Sequence, residues 1–329
     1  MHNTQDFRIL ICGVGSAGGR HLQNLESLGH KNIILYRSNN HNTKHHVGNY
    51  PTYSELDDAL ACNPDIAIIS NPTHLHLSTS ITCAEADCHL LIEKPLSHKI
   101  ERTDTLKQIA DDLNLKILVG YMLRFHPCLM RAKEWIDSGY IGNVIYARST
   151  WGEYLPDWHP WEDYRDSYAG RKSMGGGPAL TLSHDLDIMN WFLGNPVKVQ
   201  AIGNSHSDLQ IDTDHAIDIL AQHEGSTSNI HLDYFQKPSV RYYEFVGQEG
   251  KITFDYYSDT TRLYKFNHAD IQEDVFTLEN FSRNDMFIEE LKHLFKCIKY
   301  DNQPKIGLDK ALATVDYAKD AMRAAQNNL

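Results

Sequence analysis

The sequence predicts an α/β protein in which a doubly wound parallel sheet is followed by a second domain with a mainly antiparallel sheet. Three observations lead to this prediction. A glycine-rich turn follows the first apolar stretch, the next apolar stretches are continuous and separated by helical segments, and those of the second half alternate apolar with polar residues. Continuous apolar strands are typical of parallel sheets covered on both faces, whereas a period of two indicates an antiparallel sheet with one covered face.

The first strand, Arg8–Cys12, runs into a glycine turn with the spacing G-x-G-x-x-G. In such a turn the first glycine permits a tight bend, the second lets backbone N–H groups approach a pyrophosphate, and the third lets helix and strand pack closely. A periodic helical segment follows, ends at Gly29 and points its positive end at the phosphate. The residues expected to contact a dinucleotide here are Gly13, Val14, Gly15, Ser16, Ala17 and Gly18.

The rest of the first domain continues the alternation of strands and helices. We place its end near residue 122 and expect two domains, residues 1–122 and 123–329, which suits a chain of this length. Its further strands are predicted at Asn32–Tyr36, near Tyr53, and at Asp65–Ile69, Leu90–Ile92 and Lys116–Val119.

The second domain is predicted to combine helices with long alternating strands. An aromatic and charged loop separates its first two helices. The predicted helices span about residues 128–138, 179–192, 286–298 and 308–325, and the predicted strands span residues 197–202, 215–221, 229–234, 242–246 and 252–256.

Composition narrows the class of protein. The net charge of -12 argues against nucleic acid or an anionic membrane as the main partner. No apolar stretch approaches the ~20 residues that span a bilayer, and core sequence begins by about Phe7, which leaves no room for a signal peptide. We therefore expect a cytoplasmic protein that binds neither nucleic acid nor membrane. The six dispersed cysteines fit reduced thiols.

Three groups of cysteine and histidine residues carry side chains of the kind that bind metals. They lack the tight paired spacing that is usual for zinc, so we expect no metal site and interpret the third group as a solvated loop. The groups are Cys83 with Cys88 and His89, His74 with His76, and His41 with His45 and His46.

Short motifs follow the glycine turn in a fixed order. They are Ser70–His76 (S-N-P-T-H-L-H), Glu93–Pro95 (E-K-P), Gly120–Pro127 (G-Y-M-L-R-F-H-P), Gly175–Gly177 (G-G-G) and His184–Asp187 (H-D-L-D). Together they resemble the Gfo/Idh/MocA family of nicotinamide-dependent oxidoreductases, whose motifs include A-T-P-N-x-x-H, E-K-P, G-Y-N-x-R-F-x-P, G-G-G and H-x-x-D. The resemblance covers essentially the whole chain.

The resemblance implies a Rossmann domain followed by an α/β domain whose large open sheet commonly makes the oligomer contact. A homo-oligomer, a dimer or a tetramer, is therefore expected. The resemblance also implies that the substrate is a sugar, a cyclitol or a sugar nucleotide, and Met122 stands where relatives usually carry Asn. Besides the glycine turn, the expected cofactor contacts are Ser70, Asn71, Pro72, His76, Glu93, Lys94 and Met122.

Lys94 and His184 are the candidate catalytic residues, because oxidising a secondary alcohol needs a group that takes the hydroxyl proton while hydride leaves for the nicotinamide. Lys94 follows a buried strand and precedes a proline. It can hold the substrate oxygen and stabilise alkoxide charge, or move the proton itself. Alternatively, it is a surface lysine paired with Glu93. In relatives the corresponding Lys-Pro bond is often cis.

His184 can accept and return the alcohol proton, because imidazole titrates near working pH. Alternatively, it caps a helix or pairs with Asp187 one turn on. Many relatives carry an acid four residues before this histidine, whereas this chain has Leu180 followed by Thr181. A three-group proton relay is therefore not predicted.

The end of the second strand predicts the choice of cofactor. NAD sites usually place an acid on the ribose 2′-hydroxyl about 20 residues past the glycines. This chain has Tyr36 to Asn40 there, with no carboxylate. Arg37 and Ser38 can hold a 2′-phosphate by charge-assisted hydrogen bonds. We therefore predict NADP rather than NAD; the alternative is an arginine that points to solvent.

Substrate contacts are predicted mainly in the aromatic and charged segment 154–172. Aromatic rings suit the apolar face of a sugar and arginines suit an anion, which predicts an acidic, phosphorylated or nucleotide-activated sugar. Alternatively, the segment is a surface loop whose rings pack on the second sheet or on another subunit. Besides Lys94 and His184, the predicted contacts are Arg124, Tyr154, Trp158, Arg165, Tyr168 and Arg171, with Lys172 as a further cation.

Two other functions are compatible with the sequence. In the first, the protein binds NADP without turnover and acts as a sensor or structural partner. In the second, bound cofactor is recycled while a glycosidic bond or a hydroxyl is eliminated. The presence of both Lys94 and His184 favours an enzyme, and net hydride transfer distinguishes the three functions.

Overall fold

The computed structural model describes residues 6–37, 48–267 and 270–327. Strands and helices follow one another along the chain, with short 3-10 turns between some of them. In chain order they are β1 (Ile9–Cys12), α1 (Ser16–Ser27), β2 (Ile33–Tyr36), β3 (Thr52–Tyr53), α2 (Leu56–Leu60), β4 (Ile66–Ile69), α3 (His76–Glu85), β5 (His89–Ile92), α4 (Thr103–Asp112), β6 (Ile117–Val119), α5 (Pro127–Asp137), β7 (Val144–Gly152), α6 (Pro178–Thr181), α7 (His184–Leu193), β8 (Lys198–Asn204), β9 (Ala216–His223), β10 (Ser226–Asp233), β11 (Val240–Gly247), β12 (Gly250–Asp255), β13 (Thr260–Asn267), β14 (Asp270–Thr277), α8 (Arg283–Tyr300) and α9 (Leu308–Asn327).

The chain divides into two compact units. The first comprises the residues up to Tyr121 together with Asn284–Leu312, and the second comprises Met122–Arg283 together with the residues from Ala313 onward. The division of the sequence into domains 1–122 and 123–329 remains a prediction.

The first unit contains a six-stranded sheet in the order β3-β2-β1-β4-β5-β6. Every neighbouring pair is parallel, which confirms the predicted doubly wound sheet. All residues of β1 and β4 are 0% exposed, as expected for central strands covered on both faces. The strand order reverses between β1 and β4, and folds of this type bind ligands outside the carboxyl ends of the strands at such a reversal.

The second unit contains an eight-stranded sheet in the order β14-β13-β12-β11-β7-β10-β9-β8. Its pairs are antiparallel except β7 with β10, which is parallel. This confirms the mainly antiparallel sheet. In β9, Ile219 and Ala221 are 0% and 3% exposed, whereas Leu220 between them is 55% exposed. One face of the sheet is thus covered and the other open, as the period of two predicts.

Three strands and one helix differ from the prediction. The sequence does not predict β7, because Arg148, Ser149 and Thr150 follow one another and hide its alternation; yet β7 lies between β11 and β10. It does not predict β13 and β14 either, since β14 is exposed at nearly every position and its composition is that of a loop. The helix predicted over 179–192 is divided into α6 and α7, which leaves His184 at the start of a helix.

The structure also bears on the predictions about membrane-spanning helices, disulfides and metal sites. In the described ranges no helix is both long enough and apolar enough to cross a membrane. None of the six cysteines is in a disulfide. The described residues contain no group of three or more ligand-type side chains that could hold a metal; the predicted solvated loop with His41, His45 and His46 lies outside them. The cytoplasmic location and the homo-oligomer remain predictions.

Candidate active site

The glycine turn after β1 is shaped by close backbone contacts. A Cβ atom at Gly18 would lie 1.9 Å from the carbonyl oxygen of Gly13, and one at Gly13, whose φ is +93°, would lie 2.7 Å from the backbone of Asn71. At Gly15 a Cβ atom would meet nothing within 4 Å, so the backbone is open to a ligand there. Among the described residues no side chain caps α1, which begins at Ser16, and its first N–H groups suit an anion. This turn fits the pyrophosphate of a dinucleotide.

The turns after β1, β4 and β5 are joined by hydrogen bonds. Ser70 donates to the carbonyl oxygen of Gly13 at 2.8 Å. The ring of His76 lies 2.8 Å from the carbonyl oxygen of Asn71 through Nε2 and 2.8 Å from that of Pro95 through Nδ1. Burial lowers the pKa of His76, whereas these two contacts raise it. The effect of burial is the larger, so the pKa lies below its usual value. His76 therefore links two of the predicted motifs, and its contact with a cofactor remains a prediction.

Lys94 stands in the turn after β5, beside a fixed carboxylate. Oε1 of Glu93 lies 2.8 Å from Nε2 of His21 on α1. Burial alone would raise the pKa of Glu93, but the hydrogen bond from His21 and the charges of His21, Lys94 and Arg20 lower it to about 2. Lys94 itself is half-buried, and its peptide bond to Pro95 is cis. The negative charge of Glu93 thus persists near neutral pH beside the candidate catalytic lysine.

A second buried carboxyl group, Glu290 on α8, interacts with Glu93. Glu290 is 0% exposed, and neither of its carboxyl oxygens has a hydrogen-bond partner among the described residues. Burial, and then the negative charge of Glu93, raise its pKa well above the usual range. Because an unpaired buried carboxylate is costly, we infer that Glu290 is protonated near neutral pH.

Replacing Glu290 by glutamine should therefore stabilise the protein increasingly as pH rises. The folded state holds the Glu290 proton more tightly than the unfolded state. Its contribution to stability is intact below the pKa of an unfolded glutamate, about 4.3, and falls above it by about 1.4 kcal/mol per pH unit until the folded-state pKa is passed. Glutamine cannot ionise and escapes this loss. Thermal unfolding from about pH 5 to about pH 8 should show the Tm advantage of E290Q widening.

The matched control for E290Q is the neighbouring Glu289→Gln. Glu289 is 52% exposed and pairs with Lys292 at 2.8 Å, so its removal should change Tm little and without this pH trend. A constant Tm difference between E290Q and wild type across the pH range would show that Glu290 does not ionise on unfolding as inferred.

The end of β2 carries the predicted cofactor-selecting residue. The backbone N–H of Arg37 donates to the carbonyl oxygen of Tyr53 at 3.0 Å, while Ser38 lies outside the described residues. Glu55, the exposed residue before α2, lies outside the stretch from Tyr36 to Asn40 on which the prediction of NADP rests. Burial raises the pKa of Tyr36, and the charge of Glu55 is among the further causes. Glu55 lies shortly after Tyr53 in β3, the strand that pairs with β2.

The remaining predicted cofactor contacts differ in exposure. Val14 and Met122 are 4% and 2% exposed, Ala17 is half-buried and Pro72 is exposed. Met122 begins a short 3-10 turn in the second unit. The contact of each with a cofactor remains a prediction.

His184 begins α7 in the second unit. It is 2% exposed, and its ring centroid lies 5.9 Å from that of Trp151 on β7. In the glycine run before it, Gly175–Gly177, a Cβ atom at Gly176 would lie 2.5 Å from the carbonyl oxygens of Tyr168 and Ala169. The close approach of Gly176 is thus to the chain itself, and it fixes the loop that carries Tyr168.

Arg124 is held by Asp187 rather than lying on the surface. Its Nε and Nη2 atoms donate to the two carboxylate oxygens at 2.8 and 2.7 Å, a bidentate pair in which the side chains are 7% and 0% exposed. This pair ties the turn before α5 to α7, so Arg124 has a structural partner and its contact with substrate remains a prediction. Leu180, four residues before His184, is 3% exposed.

The arginines of segment 154–172 are paired with carboxylates of the same segment. Nε of Arg165 lies 2.8 Å from Oδ1 of Asp163, and Arg171 pairs with Asp166. Both arginines are about half-exposed, at 50% and 47%. A substrate anion would therefore have to displace a carboxylate from either of them.

The aromatic residues of the same segment contact other residues of the second unit, to which the segment itself belongs. Trp158 packs edge-on against Tyr234 with ring centroids 5.5 Å apart, as in the alternative where these rings pack on the second sheet. The ammonium of Lys237 lies 5.5 Å from the ring centroid of Tyr154, and Tyr168 is half-buried. Tyr154 and Tyr168 remain candidates for stacking on a sugar.

Two parts of the sequence match the two domain models of one protein family. Residues 7–121 match the oxidoreductase family with an NAD-binding Rossmann fold, and residues 129–253 match the GFO/IDH/MocA C-terminal domain. The chain belongs to the Gfo/Idh/MocA family. The resemblance inferred from the motifs is therefore confirmed, as is the prediction of an oxidoreductase with a Rossmann domain.

Several Gfo/Idh/MocA proteins are similar over most of the chain. The D-xylose 1-dehydrogenase [NADP(+)] of Haloarcula marismortui is 24% identical over 295 residues, which cover 84% of this chain and 76% of that protein. The myo-inositol 2-dehydrogenase of Thermotoga maritima is 26% identical over 317 residues, which cover 91% and 90%. A solved levoglucosan dehydrogenase, in complex with NADH and levoglucosan, shares the fold with a TM-score of 0.84 at 17% identity, over 98% of this chain and 97% of that one.

Two neighbours of the candidate catalytic residues in this Gfo/Idh/MocA chain were not predicted from the sequence. His21 bonds to Glu93 beside Lys94, and Trp151 packs on His184. His21 lies on the buried stripe of α1, so helical periodicity could have marked it as an interior histidine. Trp151 lies on β7, a strand that the sequence pattern hides.

Proposed function

We propose that the chain is an NADP-dependent dehydrogenase that oxidises a secondary alcohol of a sugar or cyclitol, or reduces the corresponding ketone. The observation that carries this proposal is the position of Lys94. It lies in the turn after β5, next to Glu93. Hydrogen bonds of Ser70 and His76 join this turn, through the turn after β4, to the glycine turn after β1. A lysine at this edge of a doubly wound sheet stands among the turns that would hold a dinucleotide.

NADP, if held by the glycine turn after β1, would supply the hydride acceptor for oxidation of the alcohol carbon. We assign Lys94 the role of holding the reacting oxygen, because an ammonium donor stabilises the negative charge that develops as the proton leaves. We assign His184 the exchange of that proton, because a neutral imidazole can take it and later return it. Its 2% exposure would limit competition from water.

The preference for NADP rests on Arg37. Arg37→Ala should weaken NADPH binding by about tenfold to a hundredfold, because a charge-assisted hydrogen bond contributes about 1.5–3 kcal/mol, and should leave NADH binding unchanged. Fluorescence titration of both cofactors checks this. Lys31→Ala is the matched control, since Lys31 is an exposed cation just before β2. Equal loss of affinity for both cofactors, or none for either, would count against NADP selection by Arg37.

The variant Glu55→Gln, titrated with the same two cofactors, tests the opposite possibility, a preference for NAD. If this carboxylate instead binds the ribose hydroxyls of NAD, Glu55→Gln should weaken NADH selectively. Under the proposal it should leave the preference for NADPH in place or increase it, since it removes a negative charge that acts on the end of β2.

For the substrate, we propose a sugar or cyclitol, and as a second candidate an acidic, phosphorylated or nucleotide-activated sugar. The aromatic side chains of Tyr154 and Tyr168 support any sugar. The second candidate requires that Arg165 release Asp163 or that Arg171 release Asp166, which an anion could achieve because these pairs are half-exposed and therefore weak.

A turnover screen with both cofactors separates the two substrate classes. Suitable neutral probes are D-xylose, myo-inositol and levoglucosan, set against a sugar acid, a sugar phosphate and a nucleotide sugar. Higher kcat/KM for an anionic probe, lost in a variant with both Arg165→Gln and Arg171→Gln, would establish the second candidate. Higher kcat/KM for a neutral probe, unchanged in that variant, would eliminate it.

A further inference from the structure

The side chain beneath Trp151 is a buried arginine. Cζ of Arg241 lies 3.6 Å from the centroid of the Trp151 ring system and 5.3 Å from that of Tyr256. Trp151 in turn packs on His184, with centroids 5.9 Å apart. Rings and guanidinium therefore form a continuous row of contacts from Tyr256 through Arg241 and Trp151 to His184, in which the ring planes of Trp151 and His184 are tilted by 40°. Its closest contact, between guanidinium and indole, is a short cation–π interaction.

The backbone brings these groups together in two ways. Arg241 and Trp151 are directly opposite each other on the antiparallel pair β11 and β7, so their side chains share one face of the sheet. Asp185, the residue after His184 in α7, accepts a hydrogen bond from Nη2 of Arg241 at 3.0 Å. Arg241 thus contacts both the ring that packs on His184 and the residue that follows His184.

Arg241 is held on its other side by Tyr243. Its Nε donates to the hydroxyl oxygen of Tyr243 at 3.1 Å, and that hydroxyl donates to Asp185 at 2.8 Å. The exposures of Arg241, Asp185 and Tyr243 are 3%, 0% and 0%. A buried guanidinium held by a carboxylate and a phenol has little freedom to turn, because any other orientation would leave a buried charge unpaired.

The orientation of Trp151 depends on this contact. A buried indole N–H usually finds a hydrogen-bond partner, but Nε1 of Trp151 has none among the described residues. No hydrogen bond in this part of the chain therefore fixes the plane of the indole. The guanidinium of Arg241 lies against the face of the indole, and we infer that this contact fixes the plane of the ring.

We propose that Arg241, anchored by Asp185 and Tyr243, is a positioning residue that orients the His184 imidazole through Trp151. This inference rests on the proposed function where it concerns catalysis. The coupling itself is a property of the second unit and is measurable without substrate or cofactor.

The sharpest variant is Arg241→Lys. It keeps the positive charge that Asp185 needs, but it removes the planar group that stacks on Trp151 and the fork that bonds to two partners. Arg262→Lys is the matched control, because Arg262 lies on β13 of the same sheet, is 44% exposed and pairs with Glu273. Tyr243→Phe is the milder variant, since it removes one anchor of Arg241 and keeps the ring.

The test is NMR of protein carrying 13C at histidine Cε1, with the His184 signal assigned from its loss in His184→Asn. We expect the His184 signal to move by more than its linewidth in R241K, to move less in Y243F, and to stay in place in R262K. If R241K does not fold, Y243F decides. A His184 signal at the wild-type position in the folded variant overturns the proposal.

Kinetics then separate this inference from the proposed function. With the best probe of the substrate screen, R241K should lower kcat by about tenfold to a hundredfold, as small displacements of a catalytic group do, while the Kd of NADPH stays unchanged. A moved His184 signal with wild-type kcat in both R241K and H184N would refute the catalytic role of His184 and leave the coupling intact. An unmoved signal with H184N inactive would refute the positioning role alone.

Discussion

Lys94→Ala should abolish most of the turnover of this protein while the protein still binds NADPH. The ammonium is expected to act mainly on charge that develops in the transition state, so its loss should lower kcat by about 10²- to 10⁴-fold. Any loss of cofactor affinity should be much smaller than the loss of kcat, because the glycine turn, which Ser70 joins to the turn after β4, is left in place. Initial rates and fluorescence titration on the same preparations measure both quantities.

The matched control for Lys94→Ala is Lys99→Ala. Lys99 is exposed and lies five residues farther along the same segment, so it tests the general effect of losing a cation there. Wild-type kcat is expected for this control. If Lys94→Ala also kept wild-type kcat, Lys94 would be the surface lysine of the alternative reading, with Glu93 as its partner.

His184→Asn should lower kcat by a similar amount, about 10²- to 10⁴-fold, because the amide can still hydrogen-bond but cannot take up a proton. The loss should fall on kcat and kcat/KM together, since the proton moves only as the reaction proceeds. Because asparagine removes the ring that packs on Trp151, circular dichroism must show an intact fold before the kinetics are compared.

His206→Asn is the matched control for His184→Asn, because His206 is an exposed histidine of the same unit. It should retain wild-type kinetics. A fully active His184→Asn would leave the histidine as a helix-start residue without a part in proton transfer, and Lys94 would then have to move the proton as well as hold the oxygen.

The first unit was largely predictable because its signals are local. β1 and β4 are continuous apolar runs of 0% exposure, and the glycine spacing reports contacts that only glycine permits, such as the 1.9 Å that a Cβ atom at Gly18 would leave to Gly13. Such constraints involve only a few residues that are close together in the sequence. The sequence therefore identified both the sheet and the turns at its carboxyl edge.

The second unit was less predictable because its features depend on distant partners. Its β7 strand is stabilised by β10 and β11 on either side, and this pairing overrides the polar run that hides its alternation. Arg124 is a similar case: the sequence shows a cation available for substrate, whereas the fold supplies Asp187, 63 residues away, as its bidentate partner.

The choice of substrate could not be predicted from the sequence, because the sequence does not show which charged side chains pair with one another. The arginines of segment 154–172 suggest an anion site, but their nearest carboxylates are their own neighbours, Asp163 and Asp166. The end of β2 has no acid in its own stretch of sequence, but β2 pairs with β3, and Glu55 follows β3. The arginines are paired within their own segment, whereas Glu55 comes from a neighbouring strand's turn.

Hydride transfer by this protein is measured as the change in nicotinamide absorbance when wild-type protein is given NADP with the neutral and anionic sugar probes. We expect net formation of NADPH with at least one probe, and loss of this signal in Lys94→Ala. Tight binding of NADPH without any absorbance change, in either direction and with every probe, would contradict this expectation. The protein would then be a cofactor-binding sensor, or, if product forms without that change, an enzyme that recycles its bound cofactor.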